Sequence, residues 1–188
     1  MTHEPAAAVE PGAVTPQLHS RAGAIRLLVL DVDGVLTDGR LYYGGDGVEL
    51  KAFHIQDGLG LRMLMRSGVQ VAIITGRSSR AVQLRAENLG IAHVYQGAED
   101  KLVAFQQLLS RVGLDAAVTA AVGDDLPDVP VLRRCALAVC VPEAPEAVRR
   151  HCHYVSKQPG GMGAVREVCE LLMAARGTLD AQLEQYLK

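Results

Sequence analysis

The chain has 188 residues, of which 49% are hydrophobic and 21% charged, and its formal net charge is −2. That length favours one domain with a sizeable core. The near-neutral balance excludes a global basic field for nucleic acid and a polybasic membrane anchor, so any phosphate recognition must be local.

Residues 1–20, "MTHEPAAAVEPGAVTPQLHS", hold Pro, Ala and Glu but no unbroken apolar stretch of signal-peptide length. They are expected to form a disordered tail, not a signal peptide. No stretch approaches the about 18 apolar residues of a membrane span. "IRLLVL" (25–30) reads as a buried strand and is followed by "DVDGVLTDG". "RLYYGGDGVELKAF" (40–53) has two strand-like arms around a glycine-rich turn, which suits a β-hairpin. Asp57 is placed to cap a helix that Gly68 ends. "QVAIIT" (70–75) is a second buried strand, and Ser78 is placed to cap a helix ending at Gly90. "AHVYQ" (92–96) is a third strand, and the helix of "EDKLVAFQQLLSRV" stops at Gly113. "AVTAAVG" (117–123), "LAVCV" (137–141) and "HYVS" (153–156) read as three more strands, and 163–176 as a terminal helix. "GGMG" (160–163) reads as a flexible hinge before it, and 177–188 as a C-terminal tail.

Short apolar runs without alternation are what strands covered on both faces look like. Their alternation with helices predicts an α/β fold, a doubly wound, Rossmann-like parallel sheet over residues 21–176, with the hairpin after the first strand. The four cysteines, at 135, 140, 152 and 169, show no metal-type spacing. They read as core thiols in a reducing cytoplasm.

Ligands in such sheets bind at the carboxyl ends of strands. Three polar clusters fall there: "DVDG" after the first strand, "TGRS" after the second, "GDD" after the fourth. On an extended backbone Asp31 and Asp33 project to one side. Two close carboxylates are costly unless a cation or a shared proton lies between them. Oxygen-only donors suit Mg2+, with Asp124 and Asp125 supplying further oxygens. The first strand is followed by no G-x-G-x-x-G, so a dinucleotide site is excluded.

"DVDGVLTD", "IITGRS", Lys101 and "GDDLPD", in that order, resemble the four motifs of the haloacid dehalogenase superfamily. The aspartate two residues after the first resembles the phosphatase version. The resemblance implies that Asp31 attacks phosphorus, that Asp33 acts as acid and base, and that Thr75 and Lys101 hold phosphoryl oxygens. It implies metal ligation by Asp31, Asp33 through its backbone carbonyl, and Asp124, with Asp125 and Asp128 positioning the site. By its own spacing Lys101 is an ordinary helix residue.

Only 43 residues separate Asp31 from Thr75, and 23 separate Arg77 from Lys101, so neither gap has room for the cap domain common in the superfamily. Residues 20–176 resemble its cap-less branch, the 3-deoxy-D-manno-octulosonate 8-phosphate phosphatases of lipopolysaccharide synthesis. "DGVELKAFHIQDGLGLR", "YQGAEDK" and "GGMGAVREVCELLM" carry that likeness. It implies substrate contacts from His54, Ile55, Gln56, Asp57 and Gly58, from Arg62, Arg77 and Arg85, and from Asp33, Lys101 and Asp125. It also implies a homotetramer assembled through the hairpins, with a C-terminal segment reaching a neighbouring site. Arginine forks suit a substrate bearing both carboxylate and phosphate. A nine-carbon sialic or deaminated sialic acid phosphate would use the same machinery. A non-catalytic oligomerisation domain is the reading of another class, and the complete Asp, Asp, Thr, Lys, Asp set argues against it.

Overall fold

The computed structural model describes residues 10–188. Six strands form one parallel sheet: β1 (Leu27–Leu30), β4 (Gln70–Ile74), β5 (His93–Tyr95), β6 (Thr119–Gly123), β7 (Leu137–Cys140) and β8 (Tyr154–Val155). Their spatial order is β5-β4-β1-β6-β7-β8, with Leu30 of β1 in register with Ile73 and Val122. The chain starts in the middle, winds to one edge, then returns across β1 to build the other half. The ends of β1, β4 and β6 therefore meet at the reversal point, where doubly wound sheets bind ligands.

Side chains alternate along each strand and divide the core in two. Leu28, Leu30, Val71, Ile73 and Val122 pack on one face. It is covered by α1 (Pro16–Gly23), α2 (Ile55–Arg66), α3 (Arg80–Leu89) and α7 (Ala164–Ala175). Leu27, Val29, Ala72, Ile74 and Ala121 pack on the other, under α4 (Lys101–Val112), α5 (Val129–Leu132) and α6 (Glu146–Arg149). Each fully buried leucine here is worth about 1.5–3 kcal/mol. The cysteines Cys135, Cys140, Cys152 and Cys169 are free and buried, as expected of core thiols.

The hairpin forms from β2 (Tyr42–Tyr43) and β3 (Glu49–Leu50), separate from the main sheet. Asp38, the third aspartate after β1, anchors its base. Its Oδ2 accepts from the Tyr42 hydroxyl at 2.6 Å and its Oδ1 from the Arg40 amide. That hydroxyl, with the Arg40 amide next, holds the Asp38 carboxyl below its ordinary range.

Both ends of the domain need correction. Residues 1–9 of the expected tail lie outside the described residues, but residues 16–20 are helical. Thr15 Oγ1 caps α1 by accepting from the Leu18 amide at 3.1 Å, and Leu18 and Ala22 are buried on the α7 side of the core. Leucine and alanine four apart gave the helix its apolar stripe; the flanking prolines and polar residues obscured it. At the C-terminus, α8 (Leu179–Leu183) and a 3-10 turn fold back on α2. Arg66 donates to Gln182 at 3.2 Å and to the Tyr186 hydroxyl at 2.8 Å, and its guanidinium lies over the Tyr186 ring.

Two helix starts also differ. Asp57 does not cap α2, which begins at Ile55. Asp57 is 1% exposed, and its Oδ1 accepts from the Arg166 amide in the first turn of α7 at 2.7 Å. The residue capping α7, Gly163, has no side chain, so α2 supplies the cap across the interface. Such caps are worth about 1 kcal/mol. The α3 cap is Ser79, one residue later than expected.

Candidate active site

Asp31 and Asp33 follow β1, Thr75 follows β4, and Asp124 and Asp125 follow β6. With Lys101 at the first turn of α4, Arg77 and Asp128, they line one open cleft of about 400 Å³. Gly34 lets the loop after β1 close on it. Its φ is +87°, and a Cβ there would lie 2.1 Å from Asp124 Oδ2. "GGMG" is no hinge: Gly161 donates its amide to Val35 O at 2.9 Å, and a Cβ on Gly160 would lie 1.8 Å from Gly34 O. These glycines press the last loop directly onto the catalytic one.

Lys101 is buried, with its Nζ 2.9 Å from Asp31 Oδ2 and 2.7 Å from Asp128 Oδ1. Burial opposes its charge, but the Asp128 and Asp31 carboxylates outweigh it and hold the ammonium above its ordinary range. Asp128 is satisfied on both oxygens. Its Oδ2 accepts from the amides of Asp124 at 3.1 Å and Asp125 at 3.4 Å, so it fixes both Lys101 and the β6 loop. Asp31 Oδ1, by contrast, is buried without a hydrogen-bond partner among the described residues. Burial, and then the Asp128 charge, push the Asp31 carboxyl up to about 6 against the pull of Lys101. Burial, and then the Asp31 and Asp128 charges, push Asp124 up to about 7.

Ligand atoms of Asp31, Asp124 and Asp128 lie within 4.8 Å of one another. One lysine cannot neutralise three such carboxylates. The unpartnered Asp31 Oδ1 and the raised carboxyls fit a divalent cation with oxygen ligands. Beside the expected Asp31 and Asp124 the cluster holds Asp128, which was expected only to position the site. Asp33, expected to ligate through its backbone carbonyl, pairs its carboxylate elsewhere. Lys51 donates its Nζ to Asp33 Oδ1, and lies 3.0 Å from Glu49 Oε1. Arg77 Nη2 donates to Glu49 Oε2, and Arg77 Nε lies 4.0 Å from Asp33 Oδ2.

Lys51 and Glu49 were not foreseen. They stand two apart on one hairpin arm and so share a face, which is the signal the sequence offered. Nothing in it said that this face would fold over Asp33.

The remaining expected residues lie off the cleft lining. Asp57 is buried under α7, with its Oδ1 accepting from the Arg166 amide. Ile55 and Gln56 are exposed at the start of α2. Arg85 donates to His54 O at 3.2 Å and lies over the Phe53 ring. A Cβ on Gly58 would lie 2.3 Å from Arg85 Nη2, so that glycine makes room for the guanidinium. Burial and the nearby Arg62 charge lower the Arg85 pKa. Arg62 itself donates to Asn88 O at 2.6 Å. Arg62, Arg85 and the His54 loop thus form a second basic group, apart from the residues that line the cleft.

A haloacid dehalogenase-like hydrolase family model matches residues 60–135. The 3-deoxy-D-manno-octulosonate 8-phosphate phosphatase KdsC of Salmonella typhimurium is 48% identical over 169 residues, covering 90% of each chain. A probable YrbI family phosphatase from Pseudomonas syringae superposes with a TM-score of 0.90 at 49% identity, covering 93% of this chain and 99% of that one. The 3-deoxy-D-manno-octulosonate 8-phosphate phosphatase of Moraxella catarrhalis, solved in complex with magnesium ion, phosphate ion and KDO, superposes with a TM-score of 0.90 at 43% identity, covering 92% of this chain and 99% of that one. With its cap-less sheet and strand-end carboxylates, the chain belongs to the 3-deoxy-D-manno-octulosonate 8-phosphate phosphatase family of haloacid dehalogenase-like hydrolases.

Proposed function

We propose that the chain hydrolyses the phosphate ester of 3-deoxy-D-manno-octulosonate 8-phosphate, in the cytoplasm, as a step of lipopolysaccharide precursor synthesis. The observation that carries this is the buried Asp31, with one oxygen paired to Lys101 and the other unpartnered in the cleft. The full-length likeness to phosphatases of that substrate supports the choice of sugar.

Asp31 attacks phosphorus, and the bond to the sugar oxygen breaks with its electron pair left on that oxygen. Asp33 gives that oxygen a proton, leaving an aspartyl-phosphate on Asp31. A water then attacks this phosphorus while Asp33 takes its proton, and Asp31 is released. Lys101 and Thr75 hold the phosphoryl oxygens, with Asp128 keeping Lys101 in place. Mg2+, held by Asp31, Asp124 and the Asp33 carbonyl, would neutralise carboxylate and phosphoryl charge. Arg77, with Arg62 and Arg85 beyond it, reads the sugar acid.

The hairpin supports a homotetramer. Leu41, Tyr42, Tyr43, Val48 and Leu50 are all exposed on it, while Phe53 packs on the core. An isolated two-stranded hairpin with an apolar surface calls for a partner. Light scattering should return about four times the 20.1 kDa chain mass.

Phosphate release should be measured with Mg2+ over a panel of phosphorylated sugar acids and p-nitrophenyl phosphate. The eight-carbon acid should give the highest kcat/KM. A higher value for a nine-carbon acid phosphate would move the assignment to that substrate, and no release from any member would end the enzymatic reading.

A further inference from the structure

Asp33, Lys51, Glu49 and Arg77 form a closed ring of alternating charge. The ring joins the loop after β1, the hairpin, and the loop after β4. The Lys51 side chain is only 2% exposed, though it belongs to a surface hairpin. A lysine at that burial is normally held by partners. Burial opposes its charge, and its bonds to Asp33 and Glu49 overcome this and raise its pKa. Lys51 is not among the residues that line the cleft, so it holds Asp33 from outside that lining.

The two Asp33 oxygens are thereby made unequal. Oδ1 receives the Lys51 ammonium. Oδ2 has only Arg77 Nε at 4.0 Å, beyond hydrogen-bond reach. We propose that Lys51 is a positioning residue: it holds Asp33 by Oδ1 so that Oδ2 is the oxygen presented to the leaving group, and Glu49 holds Lys51 in turn. This rests on the reading of Asp33 as acid and base given above. A general acid works only within hydrogen-bond distance of its target, and a carboxylate free to rotate spends less time there. The hairpin would then contribute to the chemistry of its own subunit, apart from any role in assembly.

The test compares two leaving groups. A sugar alkoxide needs a proton as it departs, and p-nitrophenolate does not. Lys51→Met should lower kcat on 3-deoxy-D-manno-octulosonate 8-phosphate by tenfold or more with KM changed less than threefold. On p-nitrophenyl phosphate the burst of p-nitrophenolate, which precedes the hydrolysis step that also uses Asp33, should slow by threefold at most. Lys51→Arg, which keeps a donor, should recover part of the sugar-phosphate rate. Glu49→Gln should give the same pattern at smaller size, and it decides the matter if Lys51→Met does not fold. Equal slowing of leaving-group release in a single turnover on both substrates, no loss on either, or a loss confined to KM would overturn the assignment. Failure of the broader functional reading would look different: the wild-type chain itself would release no phosphate from the sugar acid.

Discussion

The loops at the strand ends and the hairpin above them both bring charge to one cleft, but they are built by opposite rules. Asp31, Lys101, Asp124 and Asp128 sit on short loops and first turns tied to a buried sheet. Asp31 donates its amide to Val122 O at 3.1 Å, so backbone pairing continues into the site. The hairpin has two-residue arms, no hydrogen-bonded tie to the main sheet, and an apolar exposed surface. It is anchored at its base by Asp38 and to Asp33 by Lys51, which Glu49 holds in turn. On the proposed mechanism the two divide the work: the sheet places the nucleophile and phosphate, and the hairpin can be reshaped by assembly without disturbing them.

The largest effect is expected at the sheet. Asp31→Asn keeps shape and hydrogen-bonding capacity but removes the nucleophile. Turnover on every phosphate ester should fall by several orders of magnitude, roughly 10⁴-fold or more, measured by phosphate release with excess Mg2+. Loss within tenfold would mean that another group attacks.

At the hairpin a smaller and more selective effect is expected. Replacing Tyr43 and Leu50, both exposed, with aspartate should shift the scattering mass below that of a tetramer. It should lower kcat/KM on the sugar acid by about tenfold while p-nitrophenyl phosphate turnover falls less. An intact tetramer with unchanged specificity would show that the hairpin surface is not the assembly surface.

The smallest effect sharpens the account of charge at the sheet. Asp124 titrates near 7 in the fold against an ordinary 3.8, so the folded state binds a proton that the unfolded state has released between those values. Raising pH from 4 to 7 therefore destabilises the metal-free fold through this group. Without metal at pH 8, Asp124→Asn should melt higher than wild type, by roughly 3 °C or more. The gap should close toward pH 4, and added Mg2+ should raise the wild-type Tm more than that of the variant. A variant that melts lower at pH 8 would show that the aspartate is stabilised as an anion by other means.

Much of this was legible in the chain. Six apolar runs without alternation gave six parallel strands because both sheet faces are covered, and the polar residues directly after β1, β4 and β6 could only converge at the reversal of strand order. What escaped was set by distant contacts. Asp57 looked like a local cap because capping residues usually serve their own helix, yet it serves α7, 109 residues later in the chain. The glycines 160–163 looked like a hinge because glycine permits motion, and here it permits close approach to Gly34 and Thr37. Lys51 read as one more charge on an exposed arm, because the folding of that arm over Asp33 follows from no local pattern.

The central claim is that Asp31 accepts the phosphoryl group of a phosphorylated sugar acid. Aspartyl-phosphate is reduced by borohydride to homoserine, whereas a free carboxylate is not. Wild-type protein should be mixed with 3-deoxy-D-manno-octulosonate 8-phosphate and Mg2+, quenched in acid within one turnover, reduced and mapped by peptide mass spectrometry. Homoserine is expected at position 31 alone, and none when the substrate is omitted. Homoserine at Asp33, Asp124 or another position, or none during a measured burst of sugar release, would contradict it.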